Sequence, residues 1–321
     1  MTAGPDTQFA DGFGAPSTGI SRWTDLNGPV RYLDFGGPAD GPVIVCVHGL
    51  GGSAVNWSAI APLLTGTCRV LAPDLAGHGL TQSLGRGTDV ASNRALLHRF
   101  ARSVAGGPVI LMGNSMGGMI SLLEASVAPA SVAGLVLLDP ALPVVAARPD
   151  PVVTAIFALY LTPGLRRVVQ NRRRQAPAEL VTSILRLCCA DTSRVPEDVI
   201  ARHVEVAVQG AGLPGTEHDF AAAVRSVVRT LGYPHGRAYR RRIATVTCPV
   251  LLIHGIEDRL VPVAAARAAA RANPAWSVRE FPGVGHVPQL EVPRQTADAV
   301  LDWLDSAGQR AARAARSPAR A

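Results

Sequence analysis

The chain has 321 residues, 48% of them apolar, and a formal net charge of +7 whose positive side is entirely arginine: all 31 basic residues are Arg. That length and apolar share suffice for a large core, and one domain carrying an insert accounts for them better than two independent domains. Without a lysine, Schiff-base and lysine-nucleophile mechanisms are excluded.

Residues 1–22 hold neither a basic n-region nor an apolar run, so they read as a flexible tail and not a signal peptide. No window reaches the length of an apolar membrane span. The five cysteines, at 46, 68, 188, 189 and 248, form no Cys-x-x-Cys pair and read as free thiols. A cytoplasmic location follows as the expectation.

Buried-strand runs fall near 43–47, 69–72, 108–112, 134–138, 249–254 and 276–281, with an earlier pair around 28–36 and helices between them. This alternation predicts an α/β fold whose mostly parallel sheet is covered on both faces. The first run ends in His48-Gly49-Leu50-Gly51-Gly52, a loop whose glycines can turn backbone N–H groups toward a cavity. A second motif, Asp74-Leu75-Ala76-Gly77-His78-Gly79, follows the next strand. The run at 108–112 then breaks into Gly113-Asn114-Ser115-Met116-Gly117-Gly118 before a helix-compatible stretch. A serine on such a strand-to-helix turn is strained, exposed and set at a helix N-terminus, as a nucleophile requires. The N–H groups of Leu50 and Met116 would make an oxyanion hole.

Two acids compete as its partner. Asp139 follows the strand at 134–138 and also fits a turn or cap role beside Pro140; Asp258 lies in Gly255-Ile256-Glu257-Asp258 after the strand at 249–254. His286, in Gly285-His286-Val287-Pro288, follows the last strand and is the base by position. With these motifs in the order Ser, Asp, His, the chain resembles the α/β-hydrolase superfamily, its serine branch, over roughly 28–140 and 243–306. The resemblance implies an α/β-hydrolase fold with a helical cap inserted after the sixth strand. It also implies a triad of Ser115, Asp258 and His286, with His48, His78 and His254 in structural or loop-lining roles. Epoxide hydrolysis and dehalogenation are set aside, because relatives with those activities carry Asp where Ser115 stands.

The expected organisation is a tail at 1–22, a core at 23–140 and 243–306, a helical cap at 141–242, and a flexible Ala/Arg-rich tail at 307–321 that reads as a disordered extension or a frayed helix. The cap opens with Val152, Val153, Ile156, Phe157, Leu159, Tyr160 and Leu161, and Phe157 and Tyr160 are the expected pocket residues. Residues 148–242 carry 15 Arg against 8 Asp and Glu. These read as a solvated face in preference to a site for an anionic substrate or a peripheral membrane contact. No aromatics interleave with them, so nucleic acid is not an expected partner. Histidines and carboxylates show no ligand spacing, and neither a metal nor a cofactor is expected. The expected activity is hydrolysis of a small or medium apolar carboxylic ester through an acyl-enzyme. Carbon–carbon hydrolysis of the meta-cleavage type and cofactor-free perhydrolysis are the alternatives, and a receptor-like member with negligible turnover is the alternative of another class.

Overall fold

The computed structural model describes residues 18–143, 150–162, 176–232 and 234–316. The structure has one eight-stranded sheet: β1 (Ile20–Asp25), β2 (Pro29–Gly36), β3 (Val43–Val47), β4 (Arg69–Pro73), β5 (Val109–Asn114), β6 (Val132–Leu138), β7 (Val250–Gly255) and β8 (Ser277–Phe281). The expected apolar runs become β3 to β8, while the pair expected around 28–36 is the single strand β2, preceded by β1. Their order is β1-β2-β4-β3-β5-β6-β7-β8. β2 pairs antiparallel with both β1 and β4, and every other neighbouring pair is parallel.

Successive residues of a strand face opposite sides, and here both sides are covered. Val45, Val47, Leu111, Leu135, Leu137 and Leu252 join one core with α2 (Val90–Phe100) and α3 (Met116–Val127). Ile44, Cys46, Ile110, Met112, Val136 and Ile253 join the other with α1 (Ala61–Leu64), Trp57 and Trp303. This two-sided burial is why the central strands read as continuous apolar runs and not as alternating ones. Each fully buried Leu, Ile or Val contributes about 1.5–3 kcal/mol.

Among the described residues, the helices between β6 and β7 are, in sequence, α4 (Pro151–Leu161), α5 (Pro177–Cys188), α6 (Glu197–Ala211), α7 (Thr216–Leu231) and α8 (His235–Ile243). After β7 come α9 (Val263–Ala272), α10 (Pro288–Glu291) and α11 (Pro293–Arg316). Helix α4 packs against α7. Among the described residues, no helix is long and apolar enough to cross a membrane.

One expected boundary is corrected, and the other tail takes one of its two expected forms. Residues 20–22 belong to β1, which is held at the sheet edge by its ladder with β2 although most of its side chains are exposed. Residues 307–316 continue α11, as the high helix propensity of Ala and Arg favours.

Candidate active site

In a parallel α/β sheet, ligands bind beyond the carboxyl ends of the strands where the strand order reverses. Here the order reverses between β3 and β5, and the expected site residues lie on the loops leaving that edge. β5 passes into α3 through Ser115, whose φ of 53° and ψ of −117° only glycine adopts without strain. The turn is held from three sides: the Ser115 N–H donates to the Leu138 carbonyl at 3.1 Å, and the Ser115 carbonyl accepts from Met119 at 3.1 Å and Ala141 at 2.9 Å. A Cβ at Gly113 would stand 2.6 Å from the Gly117 backbone, and one at Gly117 would run into the Val47 carbonyl. The glycines flanking Ser115 are therefore required by strand–helix contact.

The β3 loop lies against this turn. A Cβ at Gly49 would be 3.1 Å from that of Ser115. His48 anchors the loop: its Nε2 accepts from the Leu75 N–H at 3.0 Å, which leaves Nδ1–H to donate to the Gly49 carbonyl at 2.8 Å. Burial pulls the His48 imidazole below its usual range, consistent with a neutral, structural ring. Leu50 is half-buried in this loop, and Met116 is the first residue of α3, where the opening N–H groups have no partner within the helix. Beside them, buried Asp74 accepts from Ala54 at 2.6 Å and Leu80 at 2.9 Å and pairs with buried Arg31 at 3.2 Å. Gly79 sits directly on the Asp74 carboxylate, which accounts for the glycine in that motif.

On the far side of Ser115, His286 Nδ1 is 2.7 Å from Asp258 Oδ2. Asp258 Oδ1 accepts from Leu260 at 2.8 Å and Val261 at 3.0 Å. Burial pushes the Asp258 carboxyl up, but the facing His286, its hydrogen bond, His254 and the Val261 N–H outweigh this and hold it below the usual carboxylate range. His254 donates from Nε2 to the Val261 carbonyl at 2.8 Å, and Glu257 points outward. Asp139 is fully buried beside this pair: one ligating atom from each of Asp139, Asp258 and His286 lies within 4.8 Å of the others. Two carboxyls around one hydrogen-bonded imidazole are a proton-handling set.

Several supporting residues were not assigned from sequence. Asn114 donates from Nδ2 to the carbonyls of Leu138 at 3.0 Å and His286 at 2.9 Å, tying the ends of β5 and β6 to the histidine loop. A polar residue ending an apolar strand was its signal. Glu291 accepts from Gly285, Ala190 and Asp191 at 2.9–3.2 Å, and the His286 N–H reaches the Cys188 carbonyl at 2.6 Å. Phe220 of α7 lies against Gly51, 3.0 Å from where a Cβ would be. Phe157 and Tyr160 lie on α4, but their side chains are outside the described residues. The adjacent Cys188 and Cys189 are free, and burial pushes the Cys188 thiol up to about 12.

The model of the alpha/beta hydrolase family matches residues 44–299. Among curated proteins, the chain is 29% identical over 273 residues to the pimeloyl-[acyl-carrier protein] methyl ester esterase of Aromatoleum aromaticum, covering 81% of this chain and 97% of that one. It is 26% identical over 294 residues to the 2-hydroxy-6-oxo-6-(2'-aminophenyl)hexa-2,4-dienoic acid hydrolase of Metapseudomonas resinovorans, covering 89% and 91%. It is 27% identical over 277 residues to the dihydrolipoyllysine-residue acetyltransferase component of the acetoin cleaving system of Pseudomonas putida; the match takes in 86% of this chain but only 66% of that protein. Among solved structures, a candidate lipase of Acinetobacter baumannii has the same fold, with a TM-score of 0.75, 22% identity, and coverage of 92% and 94%.

Proposed function

The chain belongs to the alpha/beta hydrolase family, and from that premise we propose that it is a serine hydrolase of small or medium apolar carboxylic esters. The observation that carries this reading is the 2.7 Å bond between His286 and Asp258 at the same sheet edge as the strained Ser115 turn. Ser115 Oγ attacks the acyl carbon while His286 Nε2 takes its proton. Asp258 holds the Nδ1–H tautomer and stabilises the imidazolium, and the Leu50 and Met116 N–H groups receive the oxyanion. His286 then protonates the leaving alcohol, and water resolves the acyl-enzyme by the same steps in reverse roles. The helices between β6 and β7 serve as a lid, with Phe220 against the Leu50–Gly51 loop as a pocket wall.

Similarity over nearly the full length of a methyl ester esterase supports ester cleavage. Carbon–carbon hydrolysis is the second reading, favoured by the dienoic acid hydrolase relative. Against it, the β3 loop reads Gly49-Leu50-Gly51, where the meta-cleavage hydrolases usually carry Gly-Pro-Gly. The test is a series of p-nitrophenyl esters of increasing acyl length beside a dienoic diketone acid, on wild type and Ser115→Ala, with fluorophosphonate labelling in parallel. The expected result is ester turnover and labelling, both falling by about 10⁴-fold or more in Ser115→Ala. Faster turnover of the diketone would transfer the assignment to carbon–carbon hydrolysis, and labelling that persists in Ser115→Ala would overturn the nucleophile.

A further inference from the structure

The proposed mechanism leaves the buried carboxyl of Asp139 unused. Asp139 follows β6 at a φ of 45° and is fully buried. Its Oδ1 accepts the Gly255 N–H at 2.9 Å, while its Oδ2 is buried and, among the described residues, meets no N–H or O–H donor. His254 does not fill the gap, because its Nε2 is committed to the Val261 carbonyl and stands 3.6 Å from Asp139 and 3.5 Å from Asp258. Asp258, by contrast, receives Leu260, Val261 and His286.

Two buried carboxyls this close cannot both be ionised, and the one with fewer donors keeps the proton. That one is Asp139. Burial first, and then the Asp258 charge, push the Asp139 carboxyl well above the usual carboxylate range, and one carboxylate oxygen of each acid lies within 4.8 Å of the other's.

We propose that Asp139 is a positioning residue that carries a proton at neutral pH, donates it in a hydrogen bond to the Asp258 carboxylate, and stands as a reserve acid for His286. The inference rests on the serine-hydrolase reading above for its catalytic consequence, but not for the location of the proton. In the wild type the Asp139 O–H orients Asp258 against His286. Once Asp258 is made neutral, the repulsion disappears, and Asp139 releases its proton to solvent to become the anion beside the imidazole. Besides Asp258 and His286, the titratable groups facing this cluster are His254 on β7, Glu291 on α10, Cys188 at the end of α5 and, through His254, Glu280 on β8.

The test uses the full chain as wild type, Asp139→Asn, Asp139→Ala, Asp258→Asn and the double Asn variant. Infrared spectroscopy of the wild type near neutral pH should show a protonated-carboxyl carbonyl band that Asp139→Asn removes. An asparagine amide supplies an N–H where the O–H stood, so Asp139→Asn should keep kcat/KM on p-nitrophenyl butyrate within about tenfold, and Asp139→Ala should fall below it. Asp258→Asn should lose only about 10²-fold, and the double variant about 10⁴-fold, the cost of a triad without its acid. A neutral buried acid is disfavoured as pH rises above its unfolded value, so the Tm of Asp139→Asn should exceed that of wild type at about pH 8 and match it at about pH 3.

A band that survives in Asp139→Asn, a Tm difference that ignores pH, or Asp258→Asn as inactive as the double variant would each overturn the proposal. The band and the Tm decide it even where Asp258→Asn fails to fold. A wild type that neither turns over esters nor takes a fluorophosphonate would instead count against the serine-hydrolase reading, while the band and Tm still report where the proton sits.

Discussion

Ser115 sits where its own side chain is unwelcome. A φ of 53° with a ψ of −117° is the first central position of a type II′ turn, which glycine fills without cost and other residues fill under strain of about 1–3 kcal/mol. Strand β5, helix α3 and the carbonyl of Leu138 hold it there, so the surrounding packing offsets the strain. Ser115→Gly should therefore raise stability by about 1–2 kcal/mol while removing activity. The midpoint of urea unfolding, read beside fluorophosphonate labelling, checks this. A midpoint that falls would mean that the serine relieves strain instead of bearing it. The Gly-x-Ser-x-Gly spacing was legible because it answers a local steric demand, whereas Asp139 was read as a turn residue because its acid neighbour is remote in sequence.

At the scale of elements, the loop carrying His286 depends on a short helix behind it. Glu291 of α10 receives the N–H of Gly285, one residue before the histidine, and the N–H groups of Ala190 and Asp191 just beyond α5. One buried carboxylate therefore joins the histidine loop to the inserted helices. Hydrogen bonds to a charged group contribute about 1.5–3 kcal/mol each, and a glutamine turns one acceptor oxygen into an N–H facing donors. Glu291→Gln should lower stability by about 2–4 kcal/mol and, on the proposed mechanism, slow turnover more than it weakens substrate binding, because it displaces His286 and not the pocket. Chemical denaturation and a kcat-against-KM comparison test it. Unchanged stability with a loss confined to KM would show that the link holds the pocket only.

Over the whole molecule, burial of histidines should weaken the fold at acid pH. Desolvation lowers His48, His78, His203 and His254, and His78, close to the ring of His48, is brought down from 6.5 to about 4. A histidine whose folded value is depressed binds its proton first in the unfolded chain. Its effect is absent above about pH 6.5, and stability is lost as pH falls toward 4. For His78 alone the full loss is about 3 kcal/mol. His78→Asn, which keeps an N–H for the Ala76 carbonyl that His78 now contacts at 3.1 Å, should shrink the drop in urea midpoint between pH 7 and pH 5. An unchanged drop would assign the loss at acid pH to the other buried groups.

The amino-acid order alone determined the sheet and the turn chemistry, because those signals are local. Runs such as Val43–Val47 and Val109–Asn114 are apolar on both faces of a strand, and Gly113, Gly117 and Gly79 answer contacts within a few residues or with the next strand. Local signals failed at β1, an exposed edge strand with no apolar alternation to reveal it, whereas the Ala/Arg stretch carries its helical propensity in its composition. Only the tertiary structure decided that Asp139 lies against Asp258, that Glu291 receives a loop about a hundred residues away, and that Phe220 covers Gly51. Those pairings join distant parts of the chain through space, and the partner of a buried charge is chosen by which loops share one edge of the folded sheet, a quantity no window of sequence contains.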